Sequence, residues 1–200
     1  DSLRRCLMTS PDQLGQGRDV AYAKGWEHVQ VVGQRKMCLQ SAWKLHNPKT
    51  EQKYQAGMTG VAQDFRDPTL TGTPVAQVDP DLTERTAGLW QYEEGDQRTE
   101  LGETFLYHGV PPDAVLPIIQ NGLSEKFAGS NAGSMFGEGI YLAEDSGKCD
   151  QYCTPDCGKN DELHRMLYAD SEDFIGPVYY LVVCKVILGK TAEAWSSRPT

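Results

Sequence analysis

The pattern of hydrophobic and polar positions along the chain predicts four strands. The strongest is residues 178–188, a run dominated by β-branched and aromatic side chains. The apolar run 105–107 is shorter, and residues 139–143 directly follow a Gly-x-Gly turn. Residues 34–45 mix apolar and polar side chains and are also interpreted as a strand. We expect these four segments to supply the sheet structure of the protein.

Three further segments carry the start and stop signals of helices. Asn47 is a typical N-cap, and the proline after it suits the first position of a helix that we expect over about 48–57. Apolar residues spaced i, i+3 and i+4 predict a second helix over 112–121, which Gly122 terminates. A third, short helix is expected over 145–152.

The segment 60–102 differs in character from its surroundings. Asp-Pro and Gly-Thr-Pro steps interrupt it, acidic residues are frequent, and no hydrophobic periodicity persists. We expect a long loop-like insertion here, within a single domain that covers residues 1–200. Residues 154–175 are also polar and are expected to be irregular. Strands outnumber helices and the two do not alternate strictly, so we predict an α+β fold rather than a doubly wound parallel sheet.

The composition limits the classes of partner. The chain has 200 residues, of which 39% are hydrophobic and 24% charged, as is normal for a globular domain. Its 19 basic and 28 acidic residues give a net charge of −9 without a basic stripe. We therefore expect basic protein surfaces rather than nucleic acid as partners. No apolar run approaches the ~18–20 residues of a membrane span, so no membrane partner is expected.

The six cysteines leave several chemistries open. Cys149, Cys153, Cys157 and His164 together could bind zinc, although their spacing lacks a Cys-x-x-Cys knuckle. A disulfide between Cys153 and Cys157 is a second interpretation. Free thiols are preferred to both, and no metal ligand is assigned. This preference favours an intracellular location, cytoplasmic or nuclear, with a secreted effector as the alternative.

One group of residues concentrates the candidate chemistry. An apolar run ends at His108 and Gly109, and the Gly-x-Gly-Ile-Tyr block delivers Tyr141 further along. Tyr152 follows on the predicted short helix, where Cys149 lies one turn before it and shares its face. This arrangement resembles the NAD+-binding signature of the poly(ADP-ribose) polymerase family, and it is most similar to the tankyrase-like, single-domain branch.

The resemblance covers roughly residues 30–58 and 104–190. It implies an ADP-ribosyltransferase-like fold of two packed, mainly antiparallel sheets with short helices. The motifs that carry it are Trp43-x-x-x-Asn47-Pro48, Tyr107-His108-Gly109, Asn121-Gly122-Leu123, Met135-Phe136-Gly137-Glu138-Gly139-Ile140-Tyr141, Lys148-x-x-x-Tyr152 and Cys184-Lys185-Val186-Ile187-Leu188-Gly189-Lys190.

The resemblance also implies an activity, in which NAD+ is the substrate, nicotinamide is released and ADP-ribose passes to a protein acceptor. Mono-transfer is preferred to polymer formation. His108 and Tyr141 are the expected catalytic residues, as members of a His-Tyr-Glu triad, and His108 would hold the adenine-side ribose. Gly109 and Cys149 would bind the carboxamide. Tyr141 and Tyr152 would stack on the two faces of the nicotinamide ring, since aromatic faces suit a flat leaving group.

The chain departs from the family pattern at several positions. Cys149 stands where the family usually has Ser, Val110 where a small hydroxyl residue is common, and Ser124 where some members carry Arg. The Glu of the triad belongs to a strand well downstream of 178–188, whereas the chain stops at Thr200. We therefore expect that a C-terminal portion is absent, and that a further segment or a second chain completes the sheet. The alternative function is an inactive module of the same fold that binds NAD+ or ADP-ribose.

Overall fold

The computed structural model of the chain describes residues 1–10, 13–14, 36–70, 77–124, 137, 139–158, 161–169 and 178–192. Within these residues the chain forms six α-helices, three short 3₁₀ helices and two strands. The α-helices are α1 (Ser2–Arg5), α2 (Pro48–Asp64), α3 (Pro80–Thr86), α4 (Pro112–Asn121), α5 (Ser146–Asp150) and α6 (Asp161–Tyr168). The 3₁₀ helices are Pro68–Leu70, Ala87–Tyr92 and Thr99–Leu101, and the strands are β1 (Glu103–Val110) and β2 (Tyr180–Ile187).

Strands β1 and β2 form an antiparallel pair that organises the described part of the molecule. Their register runs from Glu103 opposite Ile187 to Val110 opposite Tyr180. Both strands were expected from their apolar runs, and both predictions are confirmed. Ala143 also pairs with Tyr107 of β1, through two backbone hydrogen bonds of 2.9 Å. Strand β1 is thus bonded on both edges at its centre, which makes it the most enclosed backbone of the described sheet.

Two apolar clusters lie along this strand pair. The first surrounds the fully buried Tyr107 at the middle of β1 and includes Cys6, Leu82, Leu89, Phe105, Leu106 and Cys149. The second lies where the pair ends, and it joins Val110 and Tyr180 to Val115 of α4 and Leu163 of α6. Helices therefore cover the strand pair from segments far apart in sequence. Segregated helices on an antiparallel pair confirm the α+β class.

The predicted helix after Asn47 is confirmed, although it is longer than expected and ends at Asp64. The Asn47 side chain accepts hydrogen bonds from the backbone N–H groups of Lys49 and Thr50, as an N-cap does. Its amide group also donates to the carbonyl oxygen of Ile119, at 2.9 Å. Asn47 therefore begins α2 and ties it to the end of α4. The predicted α4 is confirmed as well, with Gly122 after it at a φ of +78°.

Two of the predicted strands are wrong. Residues 36–45 form no regular structure and are mostly exposed, and residues 34 and 35 lie outside the described residues. This segment contacts the fold through a side chain, because the indole N–H of Trp43 donates to the carbonyl oxygen of Leu167. In 139–143 only Ala143 pairs with a strand. An apolar run becomes a strand only where another backbone is close enough to pair along it.

Two segments expected to be irregular contain helices. Within 60–102, α3 begins at an Asp79 N-cap followed by proline, and the next 3₁₀ helix continues it to Tyr92. Leu82, Thr86 and Leu89 of this segment are buried, so it is part of the core rather than a loop-like surface insertion. Within 154–175, α6 occupies Asp161–Tyr168. Across the described ranges, none of the helices is both long and apolar enough to cross a membrane.

Candidate active site

The end of β1 carries the first two candidate residues, His108 and Gly109. The His108 Nδ1 atom lies 2.9 Å from the backbone carbonyl oxygen of Tyr141. A carbonyl oxygen can only accept a hydrogen bond, so Nδ1 must carry the proton. In the neutral ring, Nε2 is then left with its lone pair and can accept a hydrogen bond from a ligand hydroxyl. The sequence motifs suggested that His108 and Tyr141 belong to one site, and in the structure the His108 ring directly contacts the Tyr141 backbone.

Tyr141 lies between two anchored points of the backbone. Its carbonyl oxygen accepts the His108 bond, and Ala143, two residues further, pairs with Tyr107. The phenol hydroxyl donates to the carbonyl oxygen of Gly137 at 2.7 Å. About 40% of the Tyr141 residue surface is exposed. The ring is therefore held in place yet still accessible to a ligand. Residues 135, 136 and 138 of this motif lie outside the described residues.

Gly109 is packed against helix α5 so closely that no side chain would fit. A β-carbon at this position would overlap the carbonyl oxygen of Cys149 and would lie 3.1 Å from the Cys153 sulfur. The absence of a side chain thus lets the C-terminal end of α5 rest on β1. From the sequence, we expected the backbone of Gly109 to bind the ligand. Its packing on Cys149 gives the glycine a second, structural reason.

Cys149 is the least exposed of the candidate residues, with 4% of its surface accessible. This burial and, to a smaller extent, the nearby Cys153 raise the pKa of its thiol to about 12, while the Gly109 backbone N–H acts in the opposite direction. The thiol is therefore protonated at neutral pH, and it can act as a weak hydrogen-bond donor but not as a thiolate nucleophile. Burial likewise raises the pKa of Cys153 to about 12.

Tyr152 was expected on the short helix, but it lies two residues after the last residue of α5, Asp150, and is half-buried. Its backbone N–H donates to the carbonyl oxygen of Cys149 at 3.0 Å, which links it to the same helix end that rests on Gly109. The Lys148 ammonium lies 5.7 Å from the centre of the Tyr152 ring. One turn of α5 and its C-terminal cap thus set the positions of Cys149 and Tyr152 together. The predicted short helix is confirmed, with Asp145 as its N-cap.

The residues considered for zinc do not form a common site. Cys149 and Cys153 are buried, whereas Cys157 is exposed. The His164 Nε2 atom is bonded to the Asp156 carboxylate at 2.7 Å. Within the described ranges, no three His, Cys, Asp or Glu side chains lie close enough to hold a metal ion. All six cysteines of the chain are free thiols, so Cys153 and Cys157 are not joined.

One buried polar network, centred on Asp156, was not predicted from the sequence. The Asp156 carboxylate is buried and accepts hydrogen bonds from the Tyr180 hydroxyl at 2.8 Å and the Gly158 backbone N–H at 2.8 Å, in addition to His164. It therefore joins α6 to β2 next to the second apolar cluster. The sequence signal was weak, because a lone Asp and a lone His eight residues apart form no recognisable motif.

Two comparisons relate the chain to known proteins. Residues 28–199 match the family model of the poly(ADP-ribose) polymerase catalytic domain. The chain is also similar to the poly(ADP-ribose) polymerase tankyrase of Caenorhabditis elegans, at 30% identity over 89 residues. That alignment covers 44% of this chain and 3% of the relative, so the chain spans a small part of the relative's length. The family match includes β1, α5 and both candidate tyrosines.

Proposed function

Since the chain belongs to the poly(ADP-ribose) polymerase catalytic-domain family, we propose that it binds NAD+, releases nicotinamide and transfers ADP-ribose to a protein acceptor. The family assignment confirms the resemblance found in the sequence and the ADP-ribosyltransferase fold that it implied. The observation that carries the proposal is the convergence at the end of β1, where the His108 ring bonds to Tyr141 and Gly109 packs on Cys149.

Each residue of this group has a role in the proposed reaction. His108 accepts a hydrogen bond from a hydroxyl of the adenine-side ribose, because its Nδ1 proton is engaged with the Tyr141 carbonyl and its Nε2 lone pair is available. The backbone of Gly109 and the thiol of Cys149 bind the carboxamide of nicotinamide. The rings of Tyr141 and Tyr152 stack on the two faces of the nicotinamide.

The chemistry requires positioning more than a protein nucleophile. The bond between C1′ of the ribose and the nicotinamide nitrogen breaks, its electron pair leaves with nicotinamide, and the ribose becomes oxocarbenium-like. A nucleophilic side chain of the acceptor then bonds to C1′ and loses its proton to solvent. Holding both ends of NAD+ orients the scissile bond, which lowers the barrier. The thiol of Cys149 takes no covalent part, because burial holds its pKa at about 12.

The proposal extends to the acceptor and to the extent of transfer. The net charge of −9 favours basic protein surfaces as acceptors. We prefer mono-transfer to polymer formation. An inactive module of the same fold that binds NAD+ or ADP-ribose is the second candidate.

Binding and turnover need separate tests. Millimolar NAD+ should raise the melting temperature of the protein, and no shift would contradict the binding proposal. With labelled NAD+ and protein acceptors, the wild-type chain should transfer label, whereas His108→Ala and Tyr141→Ala should lose most of it. His46→Ala and Tyr92→Ala are matched controls, because both residues are exposed and lie outside the group. Binding without any transfer would favour the inactive module.

A further inference from the structure

The N-cap of helix α5 is bound by side chains from two other parts of the chain. The Asp145 Oδ1 atom accepts the backbone N–H of Gly147 at 2.7 Å, which starts the helix. The same oxygen accepts the hydroxyl of Thr9 at 2.5 Å. The second oxygen, Oδ2, lies 3.5 Å from the Arg85 guanidinium. One carboxylate therefore connects α5 to the N-terminal segment and to α3.

The Arg85 side chain is well placed to hold this region rigid. Only 18% of it is exposed, although it carries a full charge. Besides Asp145, its guanidinium donates to the backbone carbonyl oxygens of Met8 at 2.7 Å and Glu144 at 3.2 Å. The planar fork of an arginine fixes the relative positions of groups that it bonds at once. Arg85 thus connects the residues just before α5, Glu144 and Asp145, to Met8 of the N-terminal segment.

The N-terminal segment also touches the body of α5. A β-carbon at Gly147 would overlap the Thr9 hydroxyl and would lie 3.0 Å from the Gln13 side chain. At the other end of the helix, the side-chain amide of Gln151 donates to the Gln13 carbonyl oxygen at 2.7 Å. Residues 9 and 13 therefore contact both ends of α5. They precede residue 28, where the family match begins.

We propose that Thr9 and Arg85 are positioning residues that hold α5, and with it Cys149 and Tyr152, against β1. This inference rests on the proposed function, since it assigns the nicotinamide half of the NAD+ site to α5. The adenine-side group, His108, belongs to β1 and does not depend on these bonds. Loosening α5 should therefore weaken the grip on nicotinamide while the grip on ADP-ribose stays intact.

The test compares ligands that occupy different halves of the site. Calorimetry on the full chain would measure the affinities for nicotinamide and for ADP-ribose in the wild type, Thr9→Val, Thr9→Ser and Arg85→Gln. We expect Thr9→Val and Arg85→Gln to weaken nicotinamide binding about three- to tenfold, which is the effect of one lost hydrogen bond of ordinary strength. ADP-ribose binding should change less than twofold. Thr9→Ser keeps the hydroxyl and should restore nicotinamide binding.

Controls separate the outcomes. Thr59→Val is the matched control, because the Thr59 hydroxyl donates to the carbonyl oxygen of Gln55 in its own helix, at 3.0 Å. If nicotinamide affinity is unchanged in Thr9→Val, or if ADP-ribose affinity falls equally, the positioning role is refuted. A wild-type chain that binds neither ligand would instead overturn the proposed function, and the inference with it. Thr9→Val replaces a hydroxyl by a methyl group, so it remains informative if Arg85→Gln does not fold.

Discussion

At the scale of single residues, Cys149 is where this chain differs most informatively from its family. The resemblance implies that the family usually has Ser at this position, with a hydroxyl that would bond the nicotinamide amide. The Cys149 thiol is protonated at neutral pH, because burial raises its pKa to about 12. A protonated thiol is a weak donor, weaker than a hydroxyl. If Cys149 binds the carboxamide as we propose, it therefore offers only a weak hydrogen bond.

Replacing the Cys149 thiol by a hydroxyl tests whether this side chain binds the carboxamide. Cys149→Ser should lower the KM for NAD+ by about two- to tenfold, because a hydroxyl hydrogen bond contributes roughly 0.5–1.5 kcal/mol more than none. Steady-state kinetics with the variant and with Cys38→Ser, an exposed cysteine, would measure the difference. A KM that rises or stays the same in Cys149→Ser would mean that this side chain does not bind the carboxamide.

At the scale of elements, helix boundaries that depend on local sequence signals were predicted well, whereas the pairing of strand 139–143 was not. The Asn47 N-cap and the Gly122 terminator lie next to the helices they define, so the sequence contains the full signal. The prediction of a strand over 139–143 was wrong because a strand needs a partner backbone along its length, and no local sequence signal specifies one. Helix α3 was missed for a different reason. Its buried face includes the polar Thr86, whose hydroxyl is satisfied by the Leu82 carbonyl oxygen.

Besides the second apolar cluster, one buried carboxylate, that of Asp156, joins α6 to β2. Burial acts to raise the pKa of Asp156, but hydrogen bonds from His164, Gly158 and Tyr180 outweigh it, and the pKa is lowered. A carboxyl whose pKa is lower in the folded state stabilises the fold above its unfolded pKa, which is about 3.9. That stabilisation is lost as the pH falls through the folded value. The α6–β2 contact is therefore expected to be acid-sensitive.

The acid sensitivity can be assigned to this residue by mutation. Asp156→Asn should lower the free energy of unfolding at neutral pH by about 1–3 kcal/mol, since buried partners lose a charged acceptor. It should also flatten the decline in stability as the pH falls below about 4, the unfolded pKa of the carboxyl. Urea unfolding over a pH series would measure both effects. Asp113→Asn, at an exposed position of α4, is the control. Equal slopes in Asp156→Asn and the wild type would refute the assignment.

At the scale of the whole molecule, the site depends on segments that no motif connects. The sequence predicted a site of His108, Tyr141, Cys149 and Tyr152, because each lies in a motif that carries the resemblance to the family. It did not predict that Arg85 contacts the start of α5, since this contact joins residues about sixty positions apart. Such long-range side-chain bonds follow from how the elements pack, and packing is fixed by the complete set of contacts.

The net charge of −9 acts at this same scale and should govern the choice of acceptor. An acidic protein attracts a basic acceptor over distances comparable to the Debye length, which falls from about 10 Å at 0.1 M salt to about 3 Å at 1 M. The KM for a basic acceptor peptide should therefore rise severalfold over that range. An uncharged peptide with the same modified residue should show no such rise, and the KM for NAD+ in both assays serves as the internal control. A basic acceptor whose KM is independent of salt would show that recognition is local and does not use the overall charge.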